Sequence, residues 1–239
     1  MGDFFGNDFC AGGEDLGPWS QNRLFDLTPC FEDIILASVL PRLVLLSWGT
    51  LRFIRLSSRP SPSVPKGSLY YLKMATAGWV LGLVMGQFLY AVASYSSTPQ
   101  PYEVVSTGID ILIVLFALVL TSMEHLRSRI SSSALLFYWL LVIIVNVIKI
   151  NTMVQMGVVY TEPVRFGLVV AVTFAALILF ITENMAKPYN YYISLDERVN
   201  VTPEERANIF SRLTFHWMDG LMKAGAQKDL VLDDLWYAE

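Results

Sequence analysis

Three charged residues within long apolar stretches of the sequence are candidates for function, because ionisable side chains are costly there and are usually functional. They are Arg42, Asp110 and Lys149. Asp110 lies near the start of one apolar stretch and Lys149 near the end of the next, so antiparallel helices would place both at similar depth. We therefore predict an intramembrane ion pair of Asp110 with Lys149. The alternative is that Lys149 extends its ammonium group to the membrane interface.

Arg42 follows Pro41, a residue that kinks helices, and is expected nearer the midplane of the membrane. The sequence indicates no partner for its guanidinium group. A transport pathway would require several polar groups and broken helices in repeated halves. One arginine, one aspartate, one lysine and Asn146 are too few for such a pathway.

Motifs for catalysis or metal binding are absent from the sequence. There is no G-x-x-x-x-G-K-[ST] phosphate loop, no H-E-x-x-H, no C-x-x-C and no G-x-S-x-G. The two histidines, His125 and His216, are far apart. We therefore predict no catalytic, cofactor-binding or metal-binding residues and no enzyme activity for this chain.

The two cysteines, Cys10 and Cys30, both lie in the N-terminal segment. This segment is predicted to be extracytoplasmic, where disulfides persist. A bridge requires the Cα atoms to approach to about 6 Å, which a sequence cannot establish. The sequence is compatible with a disulfide between the two cysteines and with two free thiols.

The composition is that of a membrane protein. Of 239 residues, 54% are hydrophobic and only 16% are charged, whereas soluble chains carry about 25% charged residues. This excludes a disordered segment and disfavours a soluble globular domain. The net charge of −4 is too small to indicate a nucleic-acid partner, so membrane lipid is the expected surrounding.

Apolar stretches of about 20 residues, the length that crosses a bilayer, recur five times. We predict an all-α protein in three parts. Residues 1–30 form an extracytoplasmic segment, residues 31–184 a five-helix transmembrane domain, and residues 185–239 a cytosolic linker. The predicted spans are residues 31–53, 69–93, 104–122, 134–153 and 164–182.

The loops between the predicted spans alternate in charge. The first loop carries Arg52, Arg55, Arg59 and Lys66 and the third carries Arg127 and Arg129, whereas the second and fourth loops carry no lysine or arginine before Arg165. Because short cytoplasmic loops retain basic residues, the N-terminus is predicted to be extracytoplasmic or luminal and the C-terminus cytosolic.

The linker is predicted to contain an amphipathic helix over residues 203–224. Thr202 and Glu205 have the spacing of a capping box around Pro203, and Gly225 is the expected stop. The helix has one polar stripe. Its remaining face is apolar and too large to be exposed to water. The residues predicted to dock on another part of a larger protein are Phe210, Leu213, Phe215, Trp217, Met218 and Leu221.

The end of the chain carries a specific pattern. Residues 211–222 read SRLTFHWMDGLM, followed by Gly225 and a Leu-x-x-x-Asp-Leu-Trp that ends at Trp236. This segment resembles the linker into the first core domain of subfamily C ABC transporters, the multidrug resistance-associated proteins. Upstream, residues 28–31 (TPCF) and 135–140 (LLFYWL) are similar to fungal vacuolar glutathione S-conjugate and cadmium transporters.

The resemblance implies that the chain is the N-terminal five-helix domain and lasso linker of an ATP-driven exporter. ATP and Mg²⁺ would bind in nucleotide-binding domains that have no counterpart here, so no cofactor is expected in this chain. The expected partner is the core of the same transporter, in a vacuolar or plasma membrane. The family's N-terminal segment can carry a cysteine pair, and Cys10 and Cys30 occupy comparable places.

Two alternatives stay open. Sulfonylurea receptors share this architecture, so the bundle could regulate a channel that binds to it as a membrane-protein partner. An independent five-span membrane protein is the other alternative. A channel that co-purifies would favour the first, and folding and localisation that need no further domain would favour the second.

Overall fold

A computed structural model describes residues 31, 35–36, 39–58, 66–95, 101–128, 133–185, 207, 211–212 and 214–227, with backbone only at 101–102. Every regular element within these ranges is helical, and no strand occurs in them. The predicted all-α class is confirmed for this part of the chain. Cys10, Cys30, Phe210 and Leu213 lie outside the described residues.

The first helix, residues 40–57, is made of three consecutive pieces. They are α1 (Leu40–Val44), a π-helical turn (Leu45–Gly49) and α2 (Thr50–Ser57). Arg42, Leu45, Gly49 and Leu56 are buried, and their spacing of three, four and seven residues places them on one face of the helix. The polar and apolar residues of this face pack together against the rest of the bundle.

Four longer helices follow. They are α3 (Ser68–Ser94), α4 (Pro101–Arg127), α5 (Ser133–Gln155) and α7 (Pro163–Asn184), with the short α6 (Val158–Thr161) between the last two. Each long helix is long and apolar enough to cross a membrane. These helices coincide with the last four predicted spans. The first predicted span stays a prediction, because the first helix is described as three consecutive pieces of five, five and eight residues.

The helices are arranged as a ring. Helix α4 packs on α3, α3 packs on α7, and α7 packs on α5. The first helix closes the ring, because α1 and the π-helical turn pack on α5 while the π-helical turn and α2 pack on α4. Small and branched side chains fill the interior, among them the fully buried Ala117, Leu120, Leu135, Ala175 and Leu179.

The outer surface of the ring is apolar. Leu89, Leu112 and Phe174 each expose more than half of their side-chain surface, and similar residues cover every long helix. A soluble protein rarely exposes so large an apolar surface. A hydrocarbon surrounding explains it, so the chain is an integral membrane protein.

Gly49 of the first helix lies close to side chains of α4. A Cβ atom at this position would lie 3.3 Å from Leu120 Cδ2 and 3.3 Å from Phe116 Cε1. We expect Gly49→Leu to lower the free energy of unfolding by about 1–3 kcal/mol, the usual cost of overpacking. Gly82→Leu is the matched control, because nothing lies within 4 Å of a Cβ there. Equal stabilities of the two variants in a detergent unfolding titration would contradict this packing.

The predicted linker helix over residues 203–224 is divided in the structure. Phe215 has φ 56°, a left-handed conformation that an α-helix of L-residues cannot continue through. A 3₁₀ turn (His216–Met218) and helix α8 (Asp219–Gln227) follow. The new start is stabilised locally, because His216 Nδ1 lies 3.0 Å from Asp219 Oδ2 and an acidic residue favours a helix N-terminus. Helix α8 also runs past Gly225, the predicted stop.

Candidate functional site

A cavity of about 90 Å³ lies inside the ring, at the end where α4 begins. Each of the five long helical segments contributes to its wall, the first helix through Pro41 and Arg42. Polar side chains line the cavity together with valines, Pro41, Tyr138 and Trp139. The polar residues are Arg42, Gln87, Glu103, Ser106, Thr107, Asp110, Asn146 and Lys149.

Arg42 connects the first helix to α4 inside this cavity. Its Nε–H donates to Asp110 Oδ1 at 3.0 Å, and its Nη2 lies 2.8 Å from the same oxygen. Nη2 also donates to the backbone oxygen of Ser106 at 2.7 Å and to the Ser106 hydroxyl at 2.9 Å. The guanidinium group thus binds two residues one helical turn apart on α4, which fixes the depth of the first helix.

Sequence reasoning did not find this partner of Arg42. A signal was available, since Ser106 and Asp110 are spaced i, i+4 and so share one face of a helix. The predicted pairing of Asp110 with Lys149 stays a prediction. Both side chains line the same cavity.

Trp139 forms part of the cavity wall. Only 1% of its surface is exposed, and its ring packs edge-on against Tyr138 with centroids 4.7 Å apart. Among the described residues, nothing accepts a hydrogen bond from its indole Nε1–H. Beyond Trp139 the interior is filled by the apolar core.

A second charge cluster includes Glu103, one of the residues that line the cavity. Arg165, near the start of α7, places Nη2 at 2.9 Å from Glu103 Oε1 and Nη1 at 3.4 Å from Glu162 Oε2. This cluster ties the first turn of α7 to the first turn of α4. Hydropathy did not reveal it, because Glu103 and Glu162 lie just outside the predicted spans.

The opposite end of the ring carries a separate set of polar contacts. Arg52 Nε donates to Glu124 Oε1 at 2.6 Å, and its Nη2 donates to the Ser128 hydroxyl at 3.0 Å. Arg127 Nη1 donates to the backbone oxygens of Leu56 and Ser57 at 3.0 and 3.3 Å. The Arg127 contacts satisfy carbonyls at the C-terminal end of α2, where a helix favours positive charge.

Lys73 and Glu183 form a fully buried ion pair at this same end. The Nζ and Oε2 atoms are 2.9 Å apart, and only 2% and 3% of the two side chains are exposed. The pair joins α3 to α7. No such pair was predicted, because Lys73 was placed just beyond the first cytosolic loop and Glu183 lies one residue beyond the predicted fifth span.

The linker residues in the structure differ in exposure. Phe215 exposes 62% of its surface, whereas Trp217, Met218 and Leu221 are half-buried. The docking role of this face stays a prediction. Among the described residues, no group of three or more His, Cys, Asp or Glu side chains is placed to hold a metal ion.

The profile of the ABC transporter TMD0 domain matches residues 7–168. The chain belongs to the ABC transporter TMD0 family. The match includes Arg42, Asp110, Trp139 and Lys149, so the greater part of the cavity lies within TMD0. The tail after residue 185 lies beyond it.

Several subfamily C transporters are similar to the chain. The metal resistance protein YCF1 of Saccharomyces cerevisiae is 28% identical over 236 residues, and ATP-binding cassette sub-family C member 3 of Mus musculus is 29% identical over 261 residues. ABC transporter C family member 8 of Dictyostelium discoideum is 24% identical over 251 residues. The resemblance seen in the sequence is confirmed.

These alignments cover 95% of the chain but only 15–16% of each relative. The chain therefore spans about one seventh of the length of the relatives it matches. TMD0 is one domain of a larger transporter in these proteins. Similarity over 95% of the chain includes part of the tail as well as TMD0.

Proposed function

We propose that the chain is the accessory N-terminal membrane domain and lasso linker of an ATP-driven exporter of glutathione conjugates or other organic anions. It would serve assembly, trafficking and regulation, with no transport or ATPase activity of its own. The TMD0 match over residues 7–168 carries this proposal. ATP and Mg²⁺ would bind in other domains of the transporter.

The interior of the ring supports an accessory role. The charged side chains of Arg42 and Asp110, and of Lys73 and Glu183, bind to each other across helices. Between these two levels lies a core of buried alanine, valine and leucine side chains. Such an interior fixes the helices relative to one another, whereas a transport path would need polar groups along its length.

The orientation proposed from the loops places the Lys73–Glu183 end in the cytosol. Arg55 and Lys66 are exposed at this end, which agrees with the retention of basic residues on the cytoplasmic side. The cavity would then lie in the extracytoplasmic or luminal half of the membrane. For a fungal-type subfamily C protein we propose the vacuolar membrane, with the plasma membrane as the alternative.

The partner proposed for the linker is the core of the same transporter. Aromatic residues dominate the energy of most protein interfaces, and the described part of the docking face contains Phe215 and Trp217. These two residues are the strongest candidates for contact with the core. Phe210, Leu213, Met218 and Leu221 would complete the face.

The proposal is tested by expressing the chain together with a transporter core that lacks it. We expect the chain to co-purify with the core and to restore correct localisation or ATP-driven uptake of a glutathione conjugate into vesicles. The chain alone should hydrolyse no ATP. A chain that folds and localises alone, without binding the core, would contradict the proposal.

Variants of the linker test where the core binds. We expect Phe215→Ala with Trp217→Ala to reduce capture of the core at least tenfold, since loss of an aromatic anchor costs about 1–2 kcal/mol or more. Lys223→Ala is the matched control, because the Lys223 side chain is polar and exposed. Equal loss of capture in both variants would exclude this face as the contact.

A further inference from the structure

The end of the ring that carries the Lys73–Glu183 pair has a surplus of positive charge. Its charged side chains, among the described residues, are Arg52, Arg55, Lys66, Lys73, Glu124, Arg127 and Glu183. In the described part of the opposite end, acidic and basic side chains are equal in number. The surplus therefore belongs to one end of the bundle.

The two carboxylates at this end cannot neutralise the surplus. Both belong to the ion pairs described above, and only 2% and 3% of their side chains are exposed. The remaining three cations, Arg55, Lys66 and Arg127, are here called the basic cluster. None of the three forms an ion pair within the part of the chain that the structure describes. The basic cluster is thus free to bind an anion from outside the bundle.

Arg127 is held in place with one edge of its guanidinium group free. Its Nη1 donates to the backbone oxygens of Leu56 and Ser57 at 3.0 and 3.3 Å. Its Nε and Nη2 bind no described residue and are not buried. These two atoms are the planar fork with which an arginine binds two oxygens of one phosphate. Because Arg127 is already fixed by the two carbonyls, little side-chain freedom is lost when an anion binds.

The other two cations of the basic cluster lie on either side of α4. Arg55 is exposed in the last turn of α2, the helix end that Arg127 binds. Lys66 lies 5.9 Å from the centre of the Tyr70 ring, and the Tyr70 hydroxyl is 3.3 Å from the hydroxyl of Ser122 on α4. The C-terminal end of α4 therefore lies between α2 with Arg55 and the start of α3 with Lys66.

An apolar strip leads from the basic cluster toward the middle of the membrane. Leu51 and Ile54 of α2 expose 59% and 55% of their surface. Leu51 lies four residues before Arg55 and so shares its face of the helix. Apolar side chains at membrane depth with a cation at the helix end fit a molecule that has both an acyl chain and an anionic headgroup.

We propose that the basic cluster binds the phosphate of an anionic phospholipid, with an acyl chain along Leu51 and Ile54. Two phosphate oxygens accept hydrogen bonds from Nε and Nη2 of Arg127, and Arg55 and Lys66 neutralise the rest of the headgroup charge. A zwitterionic lipid carries an ammonium group that the cluster repels. The inference rests on the proposed function for its orientation alone, which places the cluster at the cytosolic leaflet, the one enriched in anionic lipid.

The test is native mass spectrometry of the full chain with phosphatidylserine, with phosphatidylcholine of the same acyl chains, and with glycerophosphoserine, which has none. We expect phosphatidylserine to bind about fivefold more tightly than phosphatidylcholine. Arg127→Gln should weaken the binding of phosphatidylserine about fivefold, the equivalent of about 1 kcal/mol for one basic residue at an anionic surface. Lys223→Gln is the matched control, because it removes an exposed positive charge from α8 and should leave binding unchanged.

Arg127→Lys separates a built phosphate site from general attraction between charges. The lysine keeps the positive charge but has no planar fork. We expect it to weaken the binding of phosphatidylserine about threefold, the equivalent of part of one hydrogen bond. Arg55→Gln changes an exposed side chain and should weaken binding as well, so it keeps the test decisive if the Arg127 variants do not fold.

Each outcome decides the proposal. A preference for phosphatidylserine that is lost in Arg127→Gln and reduced in Arg127→Lys supports it. Equal binding of phosphatidylcholine, or unchanged affinity in Arg127→Lys or in Arg55→Gln, would overturn it. Binding of glycerophosphoserine with the same sensitivity would also overturn it, because the site would then take soluble anions. The measurement uses no transporter core, so a negative result leaves the proposed accessory role untouched.

Discussion

Lys73→Met is expected to lower the free energy of unfolding of the bundle by about 3–5 kcal/mol, the usual cost of removing one partner from a buried ion pair. The Nζ–Oε2 distance is 2.9 Å, and both side chains are almost completely buried. The variant leaves the Glu183 carboxylate inside the bundle without its cation. Glu183→Leu should have a similar effect, because it leaves the Lys73 ammonium group unpaired.

The double variant Lys73→Met with Glu183→Leu distinguishes pairing from packing. Replacing both members of a buried pair by apolar residues is often close to neutral, so we expect most of the lost stability to return. Equilibrium unfolding in sodium dodecyl sulfate, followed by circular dichroism, measures all three variants. Additive losses in the double variant would show that the two residues act independently.

Lys66→Met is the matched control for this cycle. Lys66 is exposed, and its Nζ lies 5.9 Å from the centre of the Tyr70 ring. An exposed cation–π contact is worth about 0.5–1 kcal/mol. The loss in this control should therefore stay below 1 kcal/mol, although the same lysine-to-methionine change is made near the same end of α3.

Hydropathy predicted the long helices well where their ends are apolar and less well where their ends are polar. The second span was expected over residues 69–93 and is observed as Ser68–Ser94. The third was expected to end at Ser122, whereas α4 continues to Arg127. The extra turn carries Glu124 and Arg127, whose polar groups are satisfied by contacts with the first helix. A hydropathy pattern cannot recognise such tertiary contacts.

The candidate site was only partly predictable for the same reason. Charge inside an apolar stretch identified Arg42, Asp110 and Lys149, and all three line the cavity. Which of them pair depends on how the helices are arranged around the ring. The first helix closes the ring beside α4. The sequence alone does not show which helices are neighbours. The pairing of Lys73 with Glu183, 110 residues apart, was not predicted for the same reason, because it depends on which helices are neighbours.

In the linker, local patterns predicted a helix but not its interruption. An apolar face at helical spacing is compatible with one long helix or with two short ones. The left-handed backbone at Phe215 is unusual for a bulky residue, so no propensity argument would place a break there. Thr202 and Glu205, which carry the capping prediction, lie outside the described residues.

Asp110→Leu is expected to lower the free energy of unfolding by about 3 kcal/mol, because Arg42 loses the carboxylate that accepts its Nε–H and keeps a buried positive charge. Arg42→Lys should recover little of an Arg42→Met loss. A lysine ammonium group cannot reproduce the planar fork with which Arg42 binds Asp110 and Ser106 together.

Double-mutant cycles decide which cation Asp110 depends on. We expect a coupling of about 1–3 kcal/mol between Arg42→Met and Asp110→Leu, the range found for residues in direct contact. The cycle of Lys149→Met with Asp110→Leu tests the pair predicted from the sequence and should give a smaller coupling, since Arg42 already binds Oδ1 at 2.8 Å. A larger coupling to Lys149 would make α5, rather than the first helix, the element that holds Asp110. The first helix would then depend on Gly49 and the Arg52–Glu124 pair for its position, and Gly49→Leu would become the more damaging change.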